Sequence, residues 1–150
     1  MQMKHRIEPP DLCIKDTGTS RGRGVFARRA FNQGEIVEVA PVLVIKADFD
    51  DLPALLQTYV FNWTVLTGVP GRQAVAFGYG SMYNHDNPAN LRYEADARDE
   101  VMRYVAARPI AADEELTINY DARNGMTEFD DDGWFERMGI EKIQTPTAGN

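Results

Sequence analysis

Two stretches decide the fold of this chain: Val75-Ala-Phe-Gly78-Tyr-Gly80-Ser-Met-Tyr-Asn84-His85 and, thirty residues later, Glu115-Leu-Thr-Ile-Asn-Tyr120. Each has the pattern of a short apolar strand bounded by turn residues. The first places an Asn-His pair at a strand end, and the second places a tyrosine there. Because polar groups at the ends of rigid elements suit binding and chemistry, this pairing suggests a group-transfer enzyme with a bound cofactor.

Length and composition indicate one ordinary domain. The chain has 150 residues, 43% of them hydrophobic and 10% aromatic, which is enough for a core without metal or disulfide support. Cys13 is the one cysteine, so an intramolecular disulfide and a multi-cysteine zinc site are both excluded. Its position in an alternating apolar stretch favours a buried thiol over a nucleophile.

Charge and hydropathy exclude several classes of partner. A net charge of −7 argues against nucleic-acid binding, which needs clustered Lys and Arg, and suits a basic protein or peptide. The longest apolar stretch, Val37 to Ile45, is interrupted by Glu38 and Pro41 and is too short to span a bilayer. The N-terminus lacks the apolar core of a signal peptide. We therefore expect a cytoplasmic protein with no membrane partner, with a nuclear or a host-delivered protein as the alternatives.

The pattern along the chain is that of short strands separated by Gly and Asn turns. Leu12–Lys15 and Gly24–Arg28 read as a hairpin, and Glu35–Ile45 as a long extended run in which Pro41 marks an edge or a bend. The further strand candidates are Phe61–Leu66, Arg72–Phe77, Leu91–Ala95, Val101–Ala107 and Glu115–Asn119.

Helix signals are few. Acidic residues and Pro53 precede apolar residues at three- and four-residue spacing, which predicts one short helix from Leu52 to Val60. After Asp121 the chain becomes polar and acidic, as in a mobile connector. Trp134, Phe135, Met138 and Ile140 then form one or two amphipathic turns that could pack on the domain.

A glycine-rich stretch, Arg21-Gly22-Arg23-Gly24-Val25-Phe26, lies near the start. It loosely matches a dinucleotide-binding fingerprint, but that interpretation needs a helix directly after the glycines, and Gly34 with a β-rich run follows instead. A plain hairpin turn is the simplest alternative. The preferred interpretation is a backbone that lies against a ligand, since glycines expose amide and carbonyl groups.

Together, these three motifs and their order resemble the SET domain, the fold of many protein-lysine methyltransferases, over about residues 12–121. The resemblance implies a mostly β fold (a β-clip) of several short curved sheets, with a C-terminal pseudoknot and one or two short helices. It implies a single SET domain over residues 1–150, whose tail is 122–150. Small stand-alone viral and bacterial SET proteins are the most similar, and homodimers are known among them.

The resemblance also implies a cofactor and a reaction: S-adenosyl-L-methionine donates a methyl group to a lysine of a protein, histone-like or other. Gly22, Arg23 and Gly24 would contact the cofactor, as would Asn84 and His85. Tyr120 occupies the place of the catalytic tyrosine. Where the family continues Asn-His-Ser-x-x-Pro-Asn, this chain has Asp86 for Ser and Pro88 one place early.

Further aromatic residues match the family by position. Tyr59 and Tyr93 could line the lysine channel or simply pack in the core, with equal support. Trp134 resembles the aromatic residue that closes over the cofactor. With His5 and His85 as the two histidines, no metal site is expected.

Two rival interpretations remain open. A catalytically inactive SET-like domain could bind a protein partner, although the glycine turn, Asn84 and Tyr120 are all present. An unrelated β-barrel that binds a ligand would have to contain all three motifs by chance.

Overall fold

The computed structural model describes residues 6–130 and 133–140. The rest of the predicted tail, 131–132 and 141–150, lies outside the described residues, as does His5. In the described part, nine strands form two sheets, and the helices are few and short. No helix there is long and apolar enough to cross a membrane.

The first sheet has four strands in the order β1-β2-β9-β6: β1 Leu12–Asp16, β2 Arg23–Ala27, β6 Asn84–His85 and β9 Glu115–Ile118. The predicted hairpin is confirmed, since β1 and β2 pair antiparallel from Leu12 opposite Ala27 to Asp16 opposite Arg23. Strand β6 runs parallel to β9, which brings the two stretches that opened the sequence analysis side by side. This sheet therefore unites residues separated by most of the chain.

The second sheet has five strands in the order β4-β5-β3-β8-β7: β3 Ile36–Lys46, β4 Val60–Phe61, β5 Arg72–Ala76, β7 Leu91–Asp96 and β8 Val101–Ala106. Central strand β3 pairs with β8 as far as Pro41 and with β5 from Val42 onward. Of the two alternatives predicted for Pro41, an edge or a bend, the edge is wrong, because β3 is a central strand. The proline lies where β3 changes partner, a place that tolerates a residue without an N–H.

The predicted helix over Leu52–Val60 is mostly wrong. A single 3-10 turn covers Phe49–Asp51, α1 covers only Ala54–Gln57, and Val60 enters β4 opposite Val75. Leu55 is 75% exposed, so the apolar spacing does not mark a face packed on the core. Pairing with β5 outweighs the helical pattern, because a four-residue helix has little stability of its own.

A second difference concerns the predicted strand Phe61–Leu66, of which β4 contains only Phe61. The chain instead forms α2 from Trp63 to Thr67. Asn62 accepts a 3.1 Å hydrogen bond from the backbone N–H of Val65, and Gly68 ends the helix in the left-handed conformation (φ 80°). These two caps explain the helix despite its β-branched residues.

The chain after β9 returns to lie against β7 and the segment just before it. The N–H groups of Ala89 and Tyr93 donate to the carbonyls of Thr127 and Gly125, each at 3.0 Å. A short helix, α3 (Gly133–Met138), follows. The predicted amphipathic turn is confirmed, and its aromatic residues contact His85 of β6 and Tyr120, which follows β9. The fold is mostly β, as expected.

Candidate active site

Tyr120 is held at two points by the segment that contains Asn84 and His85. Its backbone N–H donates a 3.0 Å hydrogen bond to Nδ1 of His85, and its hydroxyl donates to the carbonyl oxygen of Tyr83. Burial raises the pKa of the phenol. The hydroxyl is therefore neutral at physiological pH and can donate or accept a hydrogen bond, but it is a poor source of phenolate.

Asn84 joins the glycine turn to β9. Its side-chain amide donates to the carbonyl oxygen of Arg23 at 3.0 Å and to Oε2 of Glu115 at 2.8 Å. A Cβ on Gly24 would lie 2.5 Å from that carboxylate oxygen and 3.0 Å from Nδ2 of Asn84, so a larger residue does not fit there. The three motifs found in the sequence thus converge at one place.

His85 links this region to the tail. Because Nδ1 accepts from Tyr120, a neutral imidazole carries its proton on Nε2, which lies 3.9 Å from Oδ2 of Asp121. The other carboxylate oxygen of Asp121 accepts a 2.6 Å bond from the backbone N–H of Trp134. This carboxylate therefore connects the end of β9 with the start of α3.

Aromatic rings of α3 cover the region around Tyr120. The ring of Trp134 meets that of Tyr120 edge-on, with centroids 4.9 Å apart, and the ring of Phe135 lies 4.9 Å from that of His85. These contacts place Trp134 beside the predicted catalytic tyrosine. Its closure over a cofactor stays a prediction.

A cleft of about 570 Å³ opens beside Tyr120. Tyr59 lies half-exposed in its wall, whereas Tyr93 is buried, with its hydroxyl donating to the carbonyl of Ala122 at 3.1 Å and its ring 5.2 Å from that of Phe61. Tyr93 thus both packs in the core and lines the cleft. Its role as a channel residue, like that of Tyr59, stays a prediction.

Other predicted site residues are placed differently. The described lining of this cleft includes Tyr120 and Trp134 but not the glycine turn, Asn84 or His85. Those residues connect to Tyr120 through the hydrogen bonds above. The side chain of Arg23 is exposed, whereas its backbone carbonyl accepts a hydrogen bond from the side-chain amide of Asn84.

Sequence reasoning missed the side chain of Arg21. It is largely buried, its guanidinium lies 3.9 Å from Oε1 of Glu115, and its positive charge opposes the burial that raises the pKa of Tyr120. Either arginine of Arg21-Gly-Arg-Gly24 could have faced the site on sequence grounds. Only the turn, with Gly22 at φ 75°, decides which one does.

Sequence reasoning also missed Glu38, which is buried on central strand β3. Its carboxylate accepts from the hydroxyl of Tyr83 at 2.6 Å and from the backbone N–H of Tyr79 at 2.8 Å. Burial raises the pKa of Glu38, although both hydrogen bonds act in the opposite direction. Its signal in the sequence is an acidic residue inside an apolar strand. Through Tyr83, it supports the carbonyl that receives the hydroxyl of Tyr120.

Comparison with known proteins identifies the family of the chain. The model of the SET domain family matches residues 22–121. A histone-lysine N-methyltransferase of Schizosaccharomyces pombe, specific for lysine 37 of histone H3, is 35% identical over 112 residues, which are 73% of this chain and 72% of that protein.

Two solved structures show the same fold. A candidate histone methyltransferase of Plasmodium falciparum superposes with a TM-score of 0.60 at 24% identity, over 74% of this chain and 93% of that chain. A mutant Polycomb Repressive Complex 2 of Chaetomium thermophilum superposes with a TM-score of 0.62 at 20% identity, over 75% of this chain and 15% of that one.

Proposed function

We propose that S-adenosyl-L-methionine is the methyl donor of this chain, which belongs to the SET domain family and is a protein-lysine N-methyltransferase. The observation that carries the proposal is the convergence of the glycine turn, Asn84 and His85 on Tyr120. No other part of the described chain brings all three sequence motifs together.

The residues present fit such a donor. A cleft of about 570 Å³ beside Tyr120 is within the usual range for small-molecule sites, and the ring of Trp134 supplies an aromatic surface in its wall, while the glycine turn, Asn84 and His85 lie next to it and not in its lining. At Gly22 a Cβ would meet nothing within 4 Å, so the backbone of the turn is open to an approaching group. We assign the donor to Gly22, Arg23 and Gly24 with Asn84, His85 and Trp134.

When bound, this donor supplies a sulfonium methyl group that a lysine amine displaces in line. The protein has to hold the amine in a neutral form, although the pKa of a free lysine is about 10.4. Aromatic walls such as those of Tyr59 and Tyr93 disfavour the ammonium form by desolvation. The neutral hydroxyl of Tyr120 orients the reacting groups by hydrogen bonding and needs no charge to do so.

For the substrate we propose a basic segment of a histone-like protein. The related yeast enzyme is specific for histone H3, and this chain carries a net charge of −7. Asp50, in the acidic run Asp48–Asp51, lies in the wall of the cleft. Because Arg123 and Arg137 also lie in this wall, the preference for a basic segment rests on the net charge of the chain and on the related yeast enzyme.

The decisive experiment is methyl transfer to protein. Purified chain and S-adenosyl-L-methionine are incubated in three separate reactions. The first contains histone H3, the second an H3 peptide centred on lysine 37, and the third an unfractionated protein extract. Mass spectrometry then locates added methyl groups. We expect methylated lysine with the wild-type chain and roughly 100-fold less with Tyr120→Phe over the same time. A wild-type chain that binds the donor but modifies no protein would contradict the proposal.

A further inference from the structure

The loop between β5 and β6, residues 77–83, reaches Tyr120 without belonging to either sheet. Its backbone forms two consecutive turns. In the first, the N–H of Gly80 donates to the carbonyl of Phe77 at 3.0 Å, and a second turn bond of 2.9 Å follows two residues later. Two turn bonds leave a loop free to shift, so side chains of the core have to hold it in one position.

Glu38 holds this loop from central strand β3. The side chain is buried, and each of its carboxylate oxygens accepts one hydrogen bond: Oε1 from the hydroxyl of Tyr83 at 2.6 Å, and Oε2 from the backbone N–H of Tyr79 at 2.8 Å. A Cβ on Gly78 would lie 2.6 Å from Oε2, so the glycine leaves room for the carboxylate. One side chain of β3 therefore fixes the loop at two points.

The backbone carbonyl of Tyr83 sets the direction of the Tyr120 hydroxyl. A carbonyl oxygen can only accept a hydrogen bond, so the hydroxyl points its proton at Tyr83. The lone pairs of the hydroxyl are then left as acceptors for the amine and the methyl group of the proposed reaction. If the carbonyl of Tyr83 moves, the hydroxyl turns with it, and these lone pairs lose their alignment.

We infer that Glu38 is a positioning residue for methyl transfer: through Tyr83 it fixes the carbonyl that orients the hydroxyl of Tyr120. The inference rests on the proposed function, in which that hydroxyl takes part in the reaction. Glu38 itself lies outside the described lining of the cleft. Its loss therefore lowers the rate of the chemical step and leaves the binding of peptide and donor unchanged.

Four variants isolate this role. Tyr83→Phe removes the hydroxyl and keeps the ring, and Glu38→Leu removes both acceptors. The combined variant, Glu38→Leu with Tyr83→Phe, removes both partners. Glu38→Gln is the conservative change, because its amide oxygen still accepts from the hydroxyl of Tyr83.

Tyr104→Phe is the matched control for a general loosening of the loop. Tyr104 is as deeply buried as Tyr83, and its hydroxyl donates to the carbonyl of Gly80 in the same loop at 3.0 Å. That carbonyl is not the acceptor of the Tyr120 hydroxyl. The control thus removes an equivalent hydrogen bond without touching the group that orients Tyr120.

Each variant is compared with the wild type in kcat and KM for the substrate that the wild-type chain methylates, beginning with the H3 peptide. The Kd for S-adenosyl-L-methionine and the thermal unfolding midpoint are measured alongside. Kinetics are recorded well below the lowest midpoint, so that every variant is folded in the assay. If Glu38→Leu does not fold, the comparison of Tyr83→Phe with Tyr104→Phe decides by itself.

We expect Tyr83→Phe and Glu38→Leu each to lower kcat about tenfold, with KM and the donor Kd within about twofold of wild type. The combined variant also loses about tenfold rather than about 100-fold, because both changes break one hydrogen bond. Glu38→Gln stays within about threefold of the wild-type kcat, since it keeps an acceptor. Tyr104→Phe loses as much in unfolding midpoint as Tyr83→Phe but keeps kcat within about threefold of wild type.

Three results would overturn the inference. One is a wild-type kcat in Tyr83→Phe. Another is a fall in kcat as large in Tyr104→Phe as in Tyr83→Phe, which would mean that any loosening of the loop has this effect. The third is a loss of about 100-fold in the combined variant, which would mean that the two residues act independently. The proposed function survives all three, whereas a wild-type chain that methylates no protein would overturn both proposals together.

Discussion

The backbone N–H of Tyr120 donates a 3.0 Å hydrogen bond to Nδ1 of His85, across 35 positions of sequence. A second bond, from the hydroxyl of Tyr120 to the carbonyl of Tyr83, joins the residue after β9 to the end of the loop that precedes β6. The phenol is thus positioned by backbone and imidazole groups rather than by a flexible side chain. This arrangement underlies the first two predictions.

Replacing Tyr120 by Phe removes the hydroxyl and leaves the ring. We expect kcat for methyl transfer to fall roughly 100-fold or more, as when one preorganised polar group is lost from a transition state. The Kd for S-adenosyl-L-methionine should change little. Single-turnover kinetics and calorimetry measure the two quantities. Tyr79→Phe is the matched control, because Tyr79 lies outside the described lining of the cleft. Activity near that of the wild type in Tyr120→Phe would show that the hydroxyl has no part in the mechanism.

His85→Leu should leave the N–H of Tyr120 without its acceptor. We expect a loss of about 1–3 kcal/mol in the free energy of unfolding, together with a lower kcat. His85→Asn should recover part of both, since a side-chain amide oxygen can accept in place of Nδ1. Urea titration and turnover assays compare the two variants. Equal loss in both would show that the acceptor is not what matters at this position.

Asn84 holds the glycine turn against β9 with two hydrogen bonds, to Arg23 and Glu115. Asn84→Ala should weaken binding of S-adenosyl-L-methionine about tenfold, because the turn loses its attachment. Asn84→Asp should weaken it further, since a carboxylate would face that of Glu115. Calorimetry gives the Kd values. Unchanged affinity in Asn84→Ala, or an aspartate variant that binds better than the alanine variant, would contradict this role.

Glu38 should make stability depend on pH. Burial raises its pKa in the folded chain above the ordinary value of 4.5, so the folded state binds this proton more readily than the unfolded state does. The contribution of Glu38 to the free energy of unfolding therefore falls as pH rises from 4.5 through the raised pKa, and is more favourable below that range.

Urea titrations from mildly acidic to neutral pH can isolate this contribution in Glu38→Gln, because an amide does not titrate. We expect that variant to lose the part of the pH dependence assigned to Glu38. Glu128→Gln, at an exposed position, serves as the control and should keep the wild-type profile. A profile in Glu38→Gln identical to that of the wild type would show that Glu38 does not carry the effect.

Trp134 connects α3 to the site through its ring and its backbone N–H. Trp134→Ala should weaken binding of S-adenosyl-L-methionine about tenfold, as expected when one aromatic wall of a small-molecule site is lost. Trp134→Phe should lose less, because it keeps an aromatic face. Calorimetry with both variants tests this, and equal affinities for wild type and Trp134→Ala would exclude the tail from the donor site.

Much of the fold could be predicted from sequence because its signals are local. Alternating apolar residues and a turn around Gly22 were enough to predict the β1–β2 hairpin. The run from Glu115 to Tyr120 likewise indicated β9. The errors occurred where strand partners distant in sequence determine the local structure. Val60 pairs with Val75 instead of continuing α1, and Pro41 lies in a central strand that changes partner there.

The sequence by itself determined which residue types were available for the site: two glycines in a turn, an Asn-His pair and a tyrosine after a strand. Tertiary structure alone decided that Arg21 rather than Arg23 turns its side chain inward and that Glu38 supports Tyr83. The physical reason is that burial and hydrogen-bond satisfaction depend on which strands become neighbours, and the pairings β6–β9 and β3–β5 join residues that no local pattern connects.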